Sequence, residues 1–223
     1  PLAVNKEELD KFKEIINSNI QTPIIQTGFN RRFSPLITKL SEMLSNSADP
    51  LTISYTMNVG YLDPSHWLRD SEGLGRNIGE ACHIYDLFTF LTGSEVTSIN
   101  AKSISVDEGI FDKNENFIAT IKFDDGSICN LTYTCLGTSQ YPKEIATIYC
   151  DGTVYRLNDY LKFDAIGVNN FNLVLPQKDK GHYKELNLFF DAIKNNNEWP
   201  IPLWQQIQAT EIALEVEKQI KIK

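Results

Sequence analysis

Between residues 117 and 157 the chain runs in short apolar–polar alternations broken by Asp-Gly pairs, and this pattern restricts its fold more than any other feature. Phe117, Ala119, Ile121 and Phe123 lead into Asp125-Gly126, and Cys129, Leu131, Tyr133 and Cys135 lead out. Residues 145–150 and 153–157 flank Asp151-Gly152 in the same way. A two-residue period puts one face of each run against a core, while Asp-Gly supplies the left-handed backbone of a tight hairpin. Antiparallel strands with one packed face follow. Leu51, Ile53, Tyr55, Met57 and Val59 alternate with polar residues too, which predicts another strand over 51–59.

Helical spacing brackets these strands. Asn5 followed by Glu8 starts a capping box, and Leu9, Phe12, Ile16 and Ile20 continue at helical intervals, predicting a helix over 6–19. The apolar run 24–28 ends at Gly28 and predicts a buried strand. Ser34-Pro35 opens a helix over 35–46, and Gly93 closes one over 77–91. Two helices end the chain: 182–196, with Leu186, Phe189, Phe190 and Ile193 as its apolar stripe, and 203–221, with Ile207, Ala209, Ala213, Val216 and Ile220. Strands grouped together and helices grouped around them define an α+β fold, an open and mostly antiparallel sheet covered by helices on one face.

A length of 223 residues, 42% of them hydrophobic, suffices for a substantial core. The net charge of −8 and the absence of any Lys/Arg run argue against a nucleic-acid surface. No apolar run approaches the ~20 residues of a membrane-spanning helix. Cys82, Cys129, Cys135 and Cys150 lack CxxC spacing and read as reduced thiols of a cytoplasmic protein. The chain opens at Pro1 without an initiator methionine, so we expect a fragment or a processed chain.

The chemistry concentrates between residues 67 and 86. Gly73, Gly75 and Gly79 resemble a dinucleotide fingerprint superficially, but the third glycine comes one residue late and no apolar strand precedes the first. Glu80-x-x-His83 has the spacing of a carboxylate–histidine metal pair, yet it occurs once on a helix, too few ligands for a centre, and no metal is expected. His83 shares a helical stripe with Glu80, Asp86 and Leu87. It reads either as a packed ring satisfied by a carboxylate or as a general acid/base. Trp67, Arg69 and Asp70 suit a hydroxylated or carboxylated ligand, or else a surface ion pair beside a buried ring. Arg31-Arg32, directly after the predicted strand 24–28, either face a ligand or form solvated pairs.

The ordered series Pro1-Leu-Ala-Val, Gly28-Phe-Asn-Arg-Arg-Phe-Ser-Pro35, Trp67-Leu-Arg-Asp70, Gly73-x-Gly75, Gly79-Glu-Ala-Cys-His-Ile-Tyr-Asp86 and Lys180-Gly-His182 resembles the Gfo/Idh/MocA family of NAD(P)-dependent sugar and polyol oxidoreductases. The likeness is greatest to members associated with nucleotide-sugar and surface-polysaccharide metabolism. It implies a dihydrodipicolinate-reductase-like C-terminal domain at 31–223, with 1–30 the last helix and strand of a Rossmann domain. Pro1 matches the proline of the family's Glu-Lys-Pro motif, so the main NAD or NADP loop and the catalytic lysine would lie upstream of it.

The resemblance makes His83 the catalytic histidine. The family's aspartate four residues earlier is replaced by Gly79, with Glu80 next along as the substitute carboxylate. Arg32 matches a position that faces substrate; with Trp67 and Arg69 it would shape the pocket for a sugar, polyol or nucleotide sugar. The open sheet implies a homo-oligomer. The fragment would be inactive alone, and the alternative reading is a non-catalytic, sheet-mediated dimerisation or scaffold module.

Overall fold

The computed structural model describes residues 1–18, 23–45, 47, 49–61, 63, 75–104, 115–167, 170–195 and 197–221. Helix α1 (Lys6–Ser18) opens on the expected cap: the Glu8 amide donates to Asn5 Oδ1 at 2.9 Å, and Glu8 Oε2 accepts from the Val4 amide at 3.1 Å. A 3-10 turn (Asn30–Phe33) leads into α2 (Pro35–Leu44). Strand β1 (Thr52–Asn58) follows, then a π-helical turn (Asn77–Ala81) continuous with α3 (Cys82–Thr92), which Gly93 closes in the left-handed conformation.

Seven strands come next: β2 (Val96–Ser103), β3 (Asn116–Phe123), β4 (Ile128–Thr134), β5 (Glu144–Cys150), β6 (Thr153–Asn158), β7 (Lys162–Gly167) and β8 (Phe171–Val174). Helices α4 (His182–Asn195) and α5 (Leu203–Lys221) finish the chain. The sheet is open, in the order β2-β3-β4-β1-β5-β6-β7-β8. β1 sits at its centre, parallel to β4 and antiparallel to β5, while the other pairings are antiparallel. Alternation showed which face of β1 is buried; it carries no signal for which strands lie beside it.

One face is packed. Ile53, Tyr55 and Met57 of β1, Leu131 and Tyr133 of β4 and Ala146 and Ile148 of β5 join Ile84, Leu87 and Phe88 of α3 and Ala209, Ile212, Ala213 and Val216 of α5 in a single core. The other face stays open, and one row of cross-strand partners runs Ile128, Thr52, Tyr149, Val154, Ile166. In that row Ile128, Tyr149 and Ile166 are 44–50% exposed.

Two sequence expectations differ from the structure. Residues 23–29 form no strand, and among the described residues no strand lies beside them to supply a ladder; the Gln206 side chain bonds their backbone instead. Its Oε1 accepts from the Thr27 amide at 2.9 Å and its Nε2 donates to the Ile25 carbonyl at 2.9 Å. The expected core stripe of α4 also turns outward: Leu186 and Ile193 are 54% exposed and Phe190 65%, while Glu185 and Ala192 are the buried positions. No helix among the described residues is long and apolar enough to cross a membrane. The four cysteines are buried and unpaired.

Candidate active site

His83 lies in the first turn of α3, and the π turn before it sets where its neighbours point. The Cys82 amide donates to the Asn77 carbonyl five residues back, the wider repeat found as a single turn at many functional sites. Asn77 holds this turn in place: its Nδ2 donates to the Ala213 carbonyl at 2.9 Å and to Glu217 Oε2 at 2.8 Å, and its Oδ1 accepts from the Tyr85 hydroxyl at 2.8 Å. Glu80, His83 and Asp86, one stripe by spacing, are thereby given three separate sets of partners.

Glu80 accepts from the Tyr133 hydroxyl of β4 and lies 3.9 Å from both Arg76 Nη1 and Lys143 Nζ. His83 packs edge-on to Phe29, with ring centroids 5.7 Å apart. Its Nδ1 is buried without a hydrogen-bond partner. Burial foremost, then the nearby positive charge of Arg31, lowers its pKa to about 3, so the ring is neutral near pH 7. Asp86 is fully buried; burial pushes its carboxyl up while Arg32 pulls it back.

Arg31 and Arg32 leave the 3-10 turn in different directions. Arg31 forms a fork with Glu144, Nε to Oε2 at 2.8 Å and Nη2 to Oε1 at 3.1 Å. Lys180 donates to the same Oε1, and the Tyr55 hydroxyl to Oε2 at 2.7 Å. Burial alone would raise the Glu144 pKa, but Arg31 and Lys180 outweigh it and hold it at about 2. The Tyr55 hydroxyl also lies 3.1 Å from that of Tyr160.

Tyr160 reaches this cluster at a conformational cost. It and Asp159 are the central pair of the β6–β7 hairpin, at φ 56° and 53°, where glycine or asparagine would be at ease. Such a residue costs of order 1–3 kcal/mol, accepted here because the ring is wholly buried against the Glu144 cluster.

The Arg32 guanidinium turns inward rather than toward a ligand. At 4% exposure, it donates to Asp86 Oδ2 at 3.0 Å and Gln205 Oε1 at 2.6 Å and lies 4.8 Å from the Phe90 ring centre. Its donors join the 3-10 turn to α3 and α5. Trp67, Arg69 and Asp70 lie outside the described residues, as do Gly73 and His66.

Sequence reasoning missed Glu144 and Tyr160. Glu144 had a readable signal, since it shares the inward phase of Ala146 and Ile148, where an unpaired charge would be prohibitive. Tyr160 had none. Lys180 is placed by Gly181 at φ 88°, where a Cβ would stand 2.5 Å from the backbone of Asn30, Phe33 and Ser34. Asn30 Nδ2 donates to the Lys180 carbonyl and Ser34 Oγ to the Asp179 carbonyl, each at 2.8 Å.

The fold and site are therefore those of an α+β domain with a neutral, buried histidine and a charged cluster at the edge of its helical face. Residues 48–155 match the family model described as the GFO/IDH/MocA C-terminal domain. A Bacillus subtilis relative, uncharacterized oxidoreductase YrbE, is 24% identical over 207 residues, covering 85% of this chain and 58% of its own length. The chain thus spans under two thirds of that relative.

Among solved structures, UDP-N-acetylglucosamine 3-dehydrogenase GnnA from Acidithiobacillus ferrooxidans superposes with a TM-score of 0.78 at 16% identity, over 97% of this chain and 67% of that one. Myo-inositol dehydrogenase from Lactobacillus casei, solved with NAD(H) and myo-inositol, gives 0.73 at 18% identity over 99% and 66%. At these identities the likeness is one of fold.

Proposed function

We propose that this chain forms the substrate wall of a nicotinamide-dependent oxidoreductase acting on a hydroxyl of a sugar, polyol or nucleotide sugar. His83 carries the reading. It is an imidazole held neutral by burial, with one ring nitrogen that the fold itself does not satisfy. Its part is to take the hydroxyl proton on oxidation and return it on reduction. Arg31, Glu144 and Lys180 fix the turn beside it, and Arg32 fixes α3 through Asp86. We assign Arg32 a positioning role, Glu80 the polar edge of the site, and Trp67 and Arg69 contacts to the substrate.

The described residues do not fit a dinucleotide, since none of their strands runs into a glycine loop and helix in the order a pyrophosphate needs. In this reading NAD or NADP belongs to a Rossmann domain before Pro1, of which residues 1–30 are the tail. The proposed setting is the cytoplasm.

The test is turnover of nucleotide sugars and polyols with NAD and NADP by the full-length protein. His83→Ala should lower kcat about 100-fold or more. Parental turnover by that variant, or failure of the full-length protein to bind either nucleotide, would refute the assignment. The open sheet supports a second role as an interface between two copies of the chain, because the row Ile128, Tyr149 and Ile166 is apolar and uncovered.

A further inference from the structure

In the sequence Lys180-Gly-His182 the lysine serves the Glu144 cluster and the glycine the 3-10 turn, while the histidine has a part in neither. His182 begins α4 and is exposed to solvent, yet the backbone around it is firmly held. The Asp179 amide donates to the Tyr160 carbonyl at 3.2 Å, and the Gly181 amide to Asp179 Oδ1 at 2.8 Å. Asn30 Nδ2 and Ser34 Oγ donate to the Lys180 and Asp179 carbonyls, and the Glu185 amide closes the first turn of α4 on the Gly181 carbonyl at 2.9 Å. An exposed side chain needs no such frame unless it has to stand at a fixed place.

The frame is shared with His83. Phe29 packs edge-on to the His83 ring, and the next residue, Asn30, holds the Lys180 carbonyl, while Gly181 lies against the backbone of Asn30, Phe33 and Ser34. Of the three histidines in the chain, two are thus carried by segments that rest on residues 29–34. The charged and titratable side chains acting on His83 are Arg31 of that turn, Glu144 of β5 and His182 of α4. Glu80 and Asp86, of its own helical run, turn instead to Tyr133 and Arg32.

A proton taken up by His83 has to leave it again. A ring whose pKa is held at about 3 keeps no proton near pH 7, and Nδ1 has no partner in the fold to receive one. Arg31 has no acceptor to offer, and Glu144, with a pKa of about 2, has both oxygens taken by Arg31, Lys180 and Tyr55. His182 is left, an imidazole in contact with solvent, and imidazole is the side chain suited to carrying protons at neutral pH.

We infer that His182 is the exit group for that proton, a role that rests on the oxidoreductase reading above. In the oxidising direction the substrate O–H bond breaks and its proton goes to the His83 ring, while the hydride on the same carbon goes to the nicotinamide. The new N–H bond on His83 then breaks, and the proton passes to a ring nitrogen of His182, directly or through one water, and on to a buffer base. Reduction runs the same path inward.

Turnover by the full-length protein at varied buffer concentration tests this. His182→Ala, at an exposed position, should lower kcat about tenfold in dilute buffer and leave KM within about twofold. Added imidazole should restore most of the loss, which it would not do for a merely structural side chain. Parental kcat in dilute buffer, or a loss that imidazole leaves untouched, overturns the exit role and leaves the oxidoreductase reading standing. A second measurement needs no turnover. In the isotope-labelled chain the His83 ring resonances should shift as His182 takes up a proton, and the shift should vanish in His182→Ala; His83 resonances indifferent to His182 put the two rings out of reach of each other and overturn the role as well. A full-length protein that oxidises none of the nucleotide sugars and polyols removes the oxidoreductase reading, and the role of His182 with it.

Discussion

Glu144 shows what a single residue does here. Its carboxylate is wholly buried and takes Arg31, Lys180 and Tyr55 at once. Removing one member of a buried ion pair leaves the other uncompensated, and Glu144→Gln is expected to lower stability by about 3–5 kcal/mol, read from chemical denaturation. The pH dependence has a definite sign. His83 at about 3 and Glu144 at about 2 both lie below their ordinary values, so the unfolded chain binds more protons than the folded one as acid is added. The stability they contribute is complete above about pH 6.5 and is lost on acidification, through His83 between about 6.5 and 3 and through Glu144 between about 4.5 and 2. The His83 ring resonances should therefore stay at their neutral position down to about pH 4 in an NMR titration, and a midpoint near 6.5 would contradict the buried placement. Much of this cluster could have been read from the inward phase of Glu144. The split between Arg31 and Arg32 could not, because adjacent residues on a 3-10 turn diverge in ways that spacing does not encode.

Among the elements, those with local chemistry were the legible ones. The Asn5/Glu8 cap, the Ser34-Pro35 helix start and the Asp151-Gly152 hairpin all stand where short-range rules put them. Segment 23–29 and the outer face of α4 were not, since each depends on what lies beside it in space. The same holds for the Lys178–Gly181 stretch, irregular in pattern yet central to the site. Gly181→Ala would force a Cβ into the 3-10 turn at a left-handed φ, with an expected loss of about 2–4 kcal/mol. The unfolding midpoint in urea reads that loss, and a change within a few tenths of a kcal/mol would mean the turn moves aside. Side chains of α5 do comparable work at the sheet's edge: Gln219 Oε1 accepts from the Ala101 amide at 2.7 Å and its Nε2 donates to the Ile99 carbonyl at 3.1 Å. An amide thus occupies the bonding positions of an absent strand along β2.

For the whole molecule, the open face is the feature with the widest reach. A row of Ile128, Tyr149 and Ile166 crosses from β4 to β7 and fits self-association about a twofold axis. Tyr149→Lys, at a half-exposed position, should leave the fold intact and shift a dimer to monomer in light scattering behind size exclusion; a parental mass for the variant would exclude this face. The position of β1 has a different consequence. The strands on either side of it are wired to near neighbours, β2 to β4 as one meander and β5 to β8 as another, and only residues 52–58 join them. Thr52 pairs with Ile128 on one side and Tyr149 on the other. Any chain that ends before Glu144 would therefore leave β1 with a bare edge, and one that begins after Asn58 would part the sheet into two halves joined by the 135–143 connection but by no strand-to-strand hydrogen bond.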